Sequence, residues 1–190
     1  MIGVTGFCAG QTHDTVRVNV GTFEELREQQ ALSGIDTLTY IDSTFDYQAK
    51  VPDWLRLRET GSGRIWGGTM PAVEGIENAI MVKCFDKREF NDAAAFRRYI
   101  VEDLVFGKPA PWSDVHISMG KKDLGRCRDL GQAYVAYFMI GDLLYYCKYV
   151  LTESPSAYIW VDFTSTQETF DKNVDRFDEF LSGFQITHFN

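Results

Sequence analysis

The pattern of apolar residues in the last third of the chain predicts two long strands joined by a tight turn. The segments GQAYVAYFMI and LLYYCKYVLT flank Gly141-Asp142, a pair that favours a two-residue hairpin loop. In such a hairpin Cys147 faces Ala136 across the two strands. Both faces are largely apolar, whereas a sheet with one wet face alternates more cleanly. The pattern therefore predicts an antiparallel sheet covered on both faces.

Helical periodicity near the end of the chain predicts a helix that covers one face of this sheet. After the predicted strand SAYIWVDFT, Ser165 and Glu168 have the spacing of a capping box, and Gly183 is a natural helix end. Between them, apolar residues recur at spacings of three and four. These residues are Phe170, Val174, Phe177, Leu181 and Phe184. We expect this stripe to lie against the sheet.

A second helix is predicted in the middle of the chain, capped by Asn91. Its apolar positions are Ala93, Phe96, Ile100 and Leu104. Further strands are predicted at Thr37–Ile41 and Thr44–Val51, closed by Asp42-Ser43, and at about Ala79–Phe85. The glycine-rich stretch of residues 61–68 predicts a loop. Together the elements predict an α+β fold, an α/β/α sandwich built on an antiparallel sheet.

The N-terminal part is predicted to be a separate extension. Thr22 and Glu25 form a capping-box pattern for a short helix that ends near Leu32. We expect residues 1–34 to form this extension and residues 35–190 to form the main domain. The first residues, MIGVTGFCAGQTHD, suggest either the remnant of a secretory signal without its basic region or a flexible or edge-strand terminus. The first reading slightly favours an extracytoplasmic location, periplasmic or secreted, over a cytoplasmic one.

Several of these segments together resemble the PsbP-like superfamily. The matching segments are STFDYQAKVPDWLRLRE with Pro52 and Trp54, AIMVKCFDK, the helix Asn91–Phe106, and YIWVDFTSTQETFDKNVDRFDEFLSGFQ, within roughly Thr37 to Gln185. The superfamily includes the photosystem II subunit PsbP, an import factor that binds the GTPase Ran, and bacterial periplasmic proteins and effector chaperones. The resemblance implies a non-enzymatic accessory protein. The resemblance assigns no catalytic or binding residue to this chain. The predicted N-terminal helix has no counterpart among the matching segments.

Charge and cysteine spacing restrict the function classes. The formal net charge is -8 at pH 7, which disfavours nucleic acid as a partner, and no apolar run approaches the length of a membrane span. No cofactor or metal motif is present. Cys8, Cys84, Cys127 and Cys147 form no CxxC pair, and their disulfide state stays open. Cys127 between two arginines suggests a reactive thiol, but no base accompanies it.

Aromatic residues are the remaining candidates for a binding surface. We single out Trp66, Tyr137, Tyr146, Tyr158 and Trp160. Exposed aromatics can anchor a protein partner or line a ligand groove, and buried ones would belong to the sheet core. The sequence therefore favours a non-enzymatic protein that binds an unknown protein partner. The alternatives are a small-molecule or lipid-binding module with an aromatic-lined pocket and an enzyme that uses Cys127.

Overall fold

A computed structural model describes residues 37–58, 63–100, 117–118, 130–140 and 142–188. Several predictions lie outside these residues. They are the N-terminal extension with its helix, the boundary at residue 34, Leu104 of the middle helix, and any role of Cys8 or Cys127. These remain predictions.

The described residues form a large antiparallel sheet, a smaller one, two α-helices and a short 3-10 helix at Lys87–Glu89. The strands are β1 Thr37–Asp42, β2 Tyr47–Pro52, β3 Arg56–Arg58, β4 Ile65–Thr69, β5 Ala79–Asp86, β6 Ile117–Ser118, β7 Gln132–Ile140, β8 Leu143–Glu153, β9 Ala157–Thr166 and β10 Phe184–Ile186. The helices are α1 Ala93–Arg98 and α2 Gln167–Ser182. The large sheet has the order β3-β4-β5-β9-β8-β7-β6, and the small sheet has the order β1-β2-β10.

The predicted hairpin between β7 and β8 is confirmed in its register. Ile140 pairs with Leu143, and Ala136 pairs with Cys147. Only two residues separate Ile140 from Leu143 in the sequence, which leaves the flanking residues one way to pair. The predicted strand that begins at Ala79 is confirmed as well.

One face of the large sheet is covered by α2 and by the small sheet. Phe177, Phe180 and Leu181 of α2 are almost fully buried, as is Tyr47 of β2. The Phe177 ring stacks on Phe163 of β9 with centroids 5.5 Å apart. Because β10 follows α2 directly and pairs with β2, the small sheet and α2 form one continuous cover. The predicted apolar stripe therefore lies in the core.

The opposite face carries α1. Phe96 of this helix is buried, and its ring stacks on Tyr158 of β9 with centroids 4.9 Å apart. The α+β class and the antiparallel sheet agree with the prediction. However, α1 has only six residues. A helical layer over the whole of this face is not seen in the described part of the chain.

Two predicted helix caps were wrong. Ser165 does not cap α2, because β9 continues through it and Ser165 pairs with Tyr146 of β8. The N-cap residue is Thr166, whose side chain makes no capping hydrogen bond to the backbone; its hydroxyl instead lies 3.0 Å from that of Thr169. The cap of α1 is Asp92 rather than Asn91, with Asp92 Oδ1 accepting from the backbone N–H of Ala95 at 2.7 Å.

The turn before β2 and the glycine-rich stretch also differ from the prediction. The turn extends beyond Asp42-Ser43, and β2 begins at Tyr47. Residues 65–69 form the buried strand β4 instead of a loop. A Cβ on Gly67 would lie 2.2 Å from the carbonyl oxygen of Ile80, so only glycine allows β5 to approach this closely. Composition alone had suggested a loop at a place where glycine serves close strand packing.

We predict that Phe177→Ala lowers the free energy of unfolding by roughly 3–5 kcal/mol, because it removes a fully buried ring and leaves a cavity under α2. Chemical denaturation measures the change. Asp175→Ala is the matched control on the exposed face of the same helix, and it should change stability by less than about 0.5 kcal/mol. Equal effects of the two substitutions would contradict the position of Phe177 in the core.

A buried ion pair also joins α2 to the sheet. The Lys148 side chain of β8 is 4% exposed, and its Nζ donates to Asp178 of α2 at 2.7 Å. Removing one partner of such a pair leaves a buried charge without compensation, whereas an apolar replacement of the buried lysine removes that charge. The two partners should therefore respond differently to substitution.

We predict that Asp178→Ala costs about 3 kcal/mol of stability, and that Lys148→Met costs less than about 1 kcal/mol. Urea denaturation of both variants and of the double variant checks this. If Lys148→Met is the more damaging substitution, the desolvation argument for this pair fails.

Candidate functional site

The five aromatic candidates do not form one site. Trp66, Tyr137 and Tyr146 lie on the face of the large sheet that α2 covers, because Trp66 pairs with Val82 and Tyr146 pairs with Ser165. Tyr158 and Trp160 lie on the opposite face, which carries α1. The sheet itself therefore separates the two groups.

Trp66 belongs to the core. It is 3% exposed, its indole N–H donates to the Tyr47 hydroxyl at 2.6 Å, and its ring lies 4.7 Å from that of Tyr40. The neighbouring Asp42 carboxylate accepts from the backbone N–H groups of Thr44 and Phe45. Burial raises the pKa of both Asp42 and Tyr47. This cluster closes the β1–β2 turn and gives Trp66 a structural role.

Tyr137 and Tyr146 are a cross-strand pair. They face each other in β7 and β8, with ring centroids 4.5 Å apart and nearly perpendicular planes. Tyr146 also contacts Phe170 of α2, with centroids 5.4 Å apart. Both tyrosines are half-buried. Such aromatic pairs stabilise a sheet, and the pair here links the hairpin to the first turns of α2.

Trp160 is occupied by contacts inside the protein. The Nζ of Lys83 lies 3.6 Å from the centre of the Trp160 ring and 2.5 Å from the Asp162 carboxylate. The lysine is therefore held by a cation–π contact and an ion pair together. The Trp160 ring therefore packs against Lys83 and does not act as an exposed anchor for a partner.

Tyr158 lines a cavity in the described part of the chain. An open groove of about 710 Å³ lies between α1 and the adjacent ends of β7, β8 and β9; we name it the α1 groove. Phe96 and Tyr158 form its floor, and Ala93 and Arg97 line it from α1. The groove combines an aromatic floor with an accessible opening. It is the candidate functional site of the described chain.

The strand side of the α1 groove is closely packed. A Cβ on Gly131 would lie 2.1 Å from the carbonyl oxygen of Leu151, so the chain needs glycine at this point. The Thr152 hydroxyl donates to the carbonyl oxygen of Leu130, which ties the entry of β7 to β8. This wall is therefore formed before any ligand arrives.

The rim of the α1 groove carries several charges. Lys87 lies 3.1 Å from the carboxylate of Glu153 and 5.4 Å from the centre of the Tyr158 ring. Arg97 and His188 are exposed on the same rim. Among the described residues Arg97 has no ion-pair partner. These residues come from distant segments of the chain, so no local spacing in the sequence predicts that they lie together.

The described cysteines are buried thiols. Cys84 and Cys147 are free, and burial raises the pKa of each to about 12. A thiol with such a pKa is protonated at neutral pH and is a poor nucleophile. Within the described ranges, no three histidine, cysteine, aspartate or glutamate side chains lie close enough to hold a metal ion. No helix in the same ranges has the length and apolar character to cross a membrane.

Comparison with known proteins gives matches at the level of structure. No family model matches the chain. No curated protein matches it at a significant level. Solved structures that are similar include a protein from Bacteroides thetaiotaomicron, with 12% identity, a TM-score of 0.48 and coverage of 81% of this chain and 50% of that one. This chain thus spans half the length of the Bacteroides protein.

Two further solved structures are matched by this chain over most of their own length. PA94 of Pseudomonas aeruginosa, a protein of unknown function named as a candidate regulator, has 11% identity, a TM-score of 0.46 and coverage of 82% of this chain and 100% of that one. Cyanobacterial PsbP (CyanoP) from Synechocystis sp. PCC 6803 has 10% identity, a TM-score of 0.49 and coverage of 80% and 94%. A PsbP structure is thus among the similar solved structures, and the likeness is one of fold.

We predict that Cys84 and Cys147 resist alkylation in the folded protein. In a variant with Cys8 and Cys127 changed to serine, labelling by iodoacetamide at pH 8 should be roughly a hundredfold slower than in denaturant, because both thiols are buried and protonated. Mass spectrometry follows the labelling. Rapid labelling of either cysteine in the native protein would contradict the structure.

Proposed function

We propose that the protein is a non-enzymatic binding protein that acts through contact with a protein partner, and that the α1 groove receives part of that partner. The observation that carries the proposal is the groove itself, an open cleft with the Phe96–Tyr158 stack as its floor and charged residues on its rim. Interfaces commonly combine an apolar centre with a polar rim. Aromatic residues are frequent anchors at such centres.

A small-molecule or lipid-binding module is the second candidate function. The volume of the α1 groove, about 710 Å³, lies in the range of ligand pockets. Its openness and its charged rim fit a segment of another protein better than a lipid chain, which needs an enclosed apolar lining. The two candidates predict different bound species and can be separated by experiment.

The non-enzymatic character and the location are parts of the same proposal. The described cysteines are buried and protonated, which supports a role without covalent chemistry for them. An extracytoplasmic site of action rests on the N-terminal pattern and on the resemblance to a superfamily with periplasmic members. The partner should then be present in a periplasmic extract and depleted in a cytoplasmic one.

We predict that Ala93→Trp abolishes partner capture. Ala93 is half-buried and lines the α1 groove, so an indole at this position fills the space above the floor. Ala94, the next residue of α1, is exposed and does not line the groove, which makes Ala94→Trp the matched control. Tagged wild type and both variants are used to capture proteins from periplasmic and cytoplasmic extracts of the source cells, and mass spectrometry quantifies them.

The expected result is a partner that is retained by wild type and by Ala94→Trp and is reduced at least about tenfold with Ala93→Trp, equivalent to about 1.4 kcal/mol. Circular dichroism establishes that both variants are folded. Capture unaffected by Ala93→Trp would overturn the assignment of the groove. A small molecule that co-purifies with wild type and is lost from Ala93→Trp in native mass spectrometry would instead establish the second candidate function.

A further inference from the structure

We infer that the segment received by the α1 groove is an extended, acidic peptide in which an aromatic or aliphatic side chain lies next to a carboxylate. This inference rests on the proposed function and specifies the chemistry of the partner. The apolar side chain would lie against the partly exposed apolar lining of the groove, which includes Ala93, Leu130 and Ile186. The carboxylate would pair with Arg97 on the rim.

The charges on the rim set the preferred sign of the ligand. The chain as a whole has a formal net charge of -8, yet the cations Lys87 and Arg97 both line this groove. Lys87 is already compensated by Glu153 at 3.1 Å. Arg97 is exposed and has no ion-pair partner among the described residues. The rim therefore offers one guanidinium that is ready to accept a negative group.

A guanidinium favours a carboxylate in a defined geometry. Its planar fork donates two parallel hydrogen bonds to the two oxygens of a carboxylate. In an exposed position such a pair contributes little by itself, because water screens it. Next to a groove that removes water from one side, the pair gains strength and orients the bound chain. Arg97 occupies this position, since it lines the groove from α1.

The apolar lining of the α1 groove accounts for the apolar part of the ligand. The Phe96 and Tyr158 rings are stacked, with planes 11° apart, and both are buried within the hydrophobic cluster beneath α1. Leu151 and Ile186 line the groove as well. Ala93, Leu130 and Ile186 line the groove and are only partly buried, so a phenylalanine, leucine or isoleucine side chain packed against them removes apolar area from water.

The open shape favours a peptide over a free anion. An isolated anion on the rim would remain largely hydrated beside Arg97, and nothing would cover the apolar lining. A peptide places a carboxylate and an apolar side chain on one backbone, so that the two contacts reinforce each other. The exposed Gln132 side chain at the groove wall offers an amide that can hydrogen-bond to an extended main chain.

A structural role for Arg97 is separable from the proposed one. Arg97 and Arg98 both lie in the last turn of α1, where a cation stabilises the helix dipole. Only Arg97 lines the groove. Arg98→Glu therefore reproduces the effect of charge reversal on the helix without changing the groove, and it is the matched control for Arg97→Glu.

The test is selection from a phage-displayed library of random twelve-residue peptides on the full chain, with wild type, Arg97→Glu and Arg98→Glu as targets. Wild type and Arg98→Glu should enrich sequences with Asp or Glu beside Phe, Leu or Ile. The consensus peptide is then synthesised with a fluorophore. Its binding, measured by anisotropy, should weaken at least about tenfold for Arg97→Glu and change less than about twofold for Arg98→Glu.

The outcomes separate this inference from the proposed function. Enriched peptides that lack acidic residues but fail to bind Ala93→Trp would overturn the acidic specificity and leave the groove as a docking site. Peptides that bind Ala93→Trp as well as wild type would overturn both. Equal losses of peptide binding for Arg97→Glu and Arg98→Glu, or no enrichment of any peptide, would overturn the pairing with Arg97. The partner-capture experiment decides the proposed function separately.

Discussion

Burial of the central strand β9 on both faces is the constraint on which the rest of the structure depends. Every residue of β9 is buried or half-buried, and the strand pairs with the whole of β5 on one side and with most of β8 on the other. A strand in this position needs a cover on each face of the sheet, since its apolar side chains alternate between them. The fold can be understood as the solution to this requirement.

The described residues meet the requirement differently on the two faces. On one face α2 and the small sheet form a continuous layer over Phe163 and its neighbours. On the other face Phe96 of α1 packs against Tyr158, and Ala136 and Tyr149 of the neighbouring strands are buried as well. The α1 groove lies on this side, between α1 and the adjacent ends of β7, β8 and β9.

Local interactions were predictable from the sequence, and long-range ones were not. The β7–β8 register follows from one turn, and the buried stripe of α2 follows from its period, so both were found. The small sheet depends on the pairing of Phe184 with Ala49, which no local pattern reports. Glycine in β4 and the continuation of β9 through Ser165 were misread, because packing against neighbouring strands overrides the local signals of a loop and a cap.

The candidate site was predictable only in part for the same reason. Of the five aromatic candidates, Tyr158 alone lines the α1 groove. Tyrosine and tryptophan serve equally well as core residues and as anchors, so composition cannot distinguish the two roles. Arg97 carried a weak signal, since it lies outside the apolar stripe of its helix. Its relation to Tyr158 and Glu153 became visible only when the strands were paired.

The construction of the α1 groove bears on how it can bind. Its floor is a stacked pair of rings in a buried cluster, and its strand wall is held by the close approach of Gly131 to Leu151 and by the bond from Thr152 to Leu130. Such a surface loses little conformational entropy when a ligand arrives, so affinity depends mainly on the ordering of the ligand. The Lys87–Glu153 pair adds no net charge, so under the proposed function Arg97 is the group whose charge would decide between ligands. An apolar groove with one charge-selective group at its rim would discriminate by the order of side chains along a bound chain. This is the property that a docking site for a defined peptide segment requires.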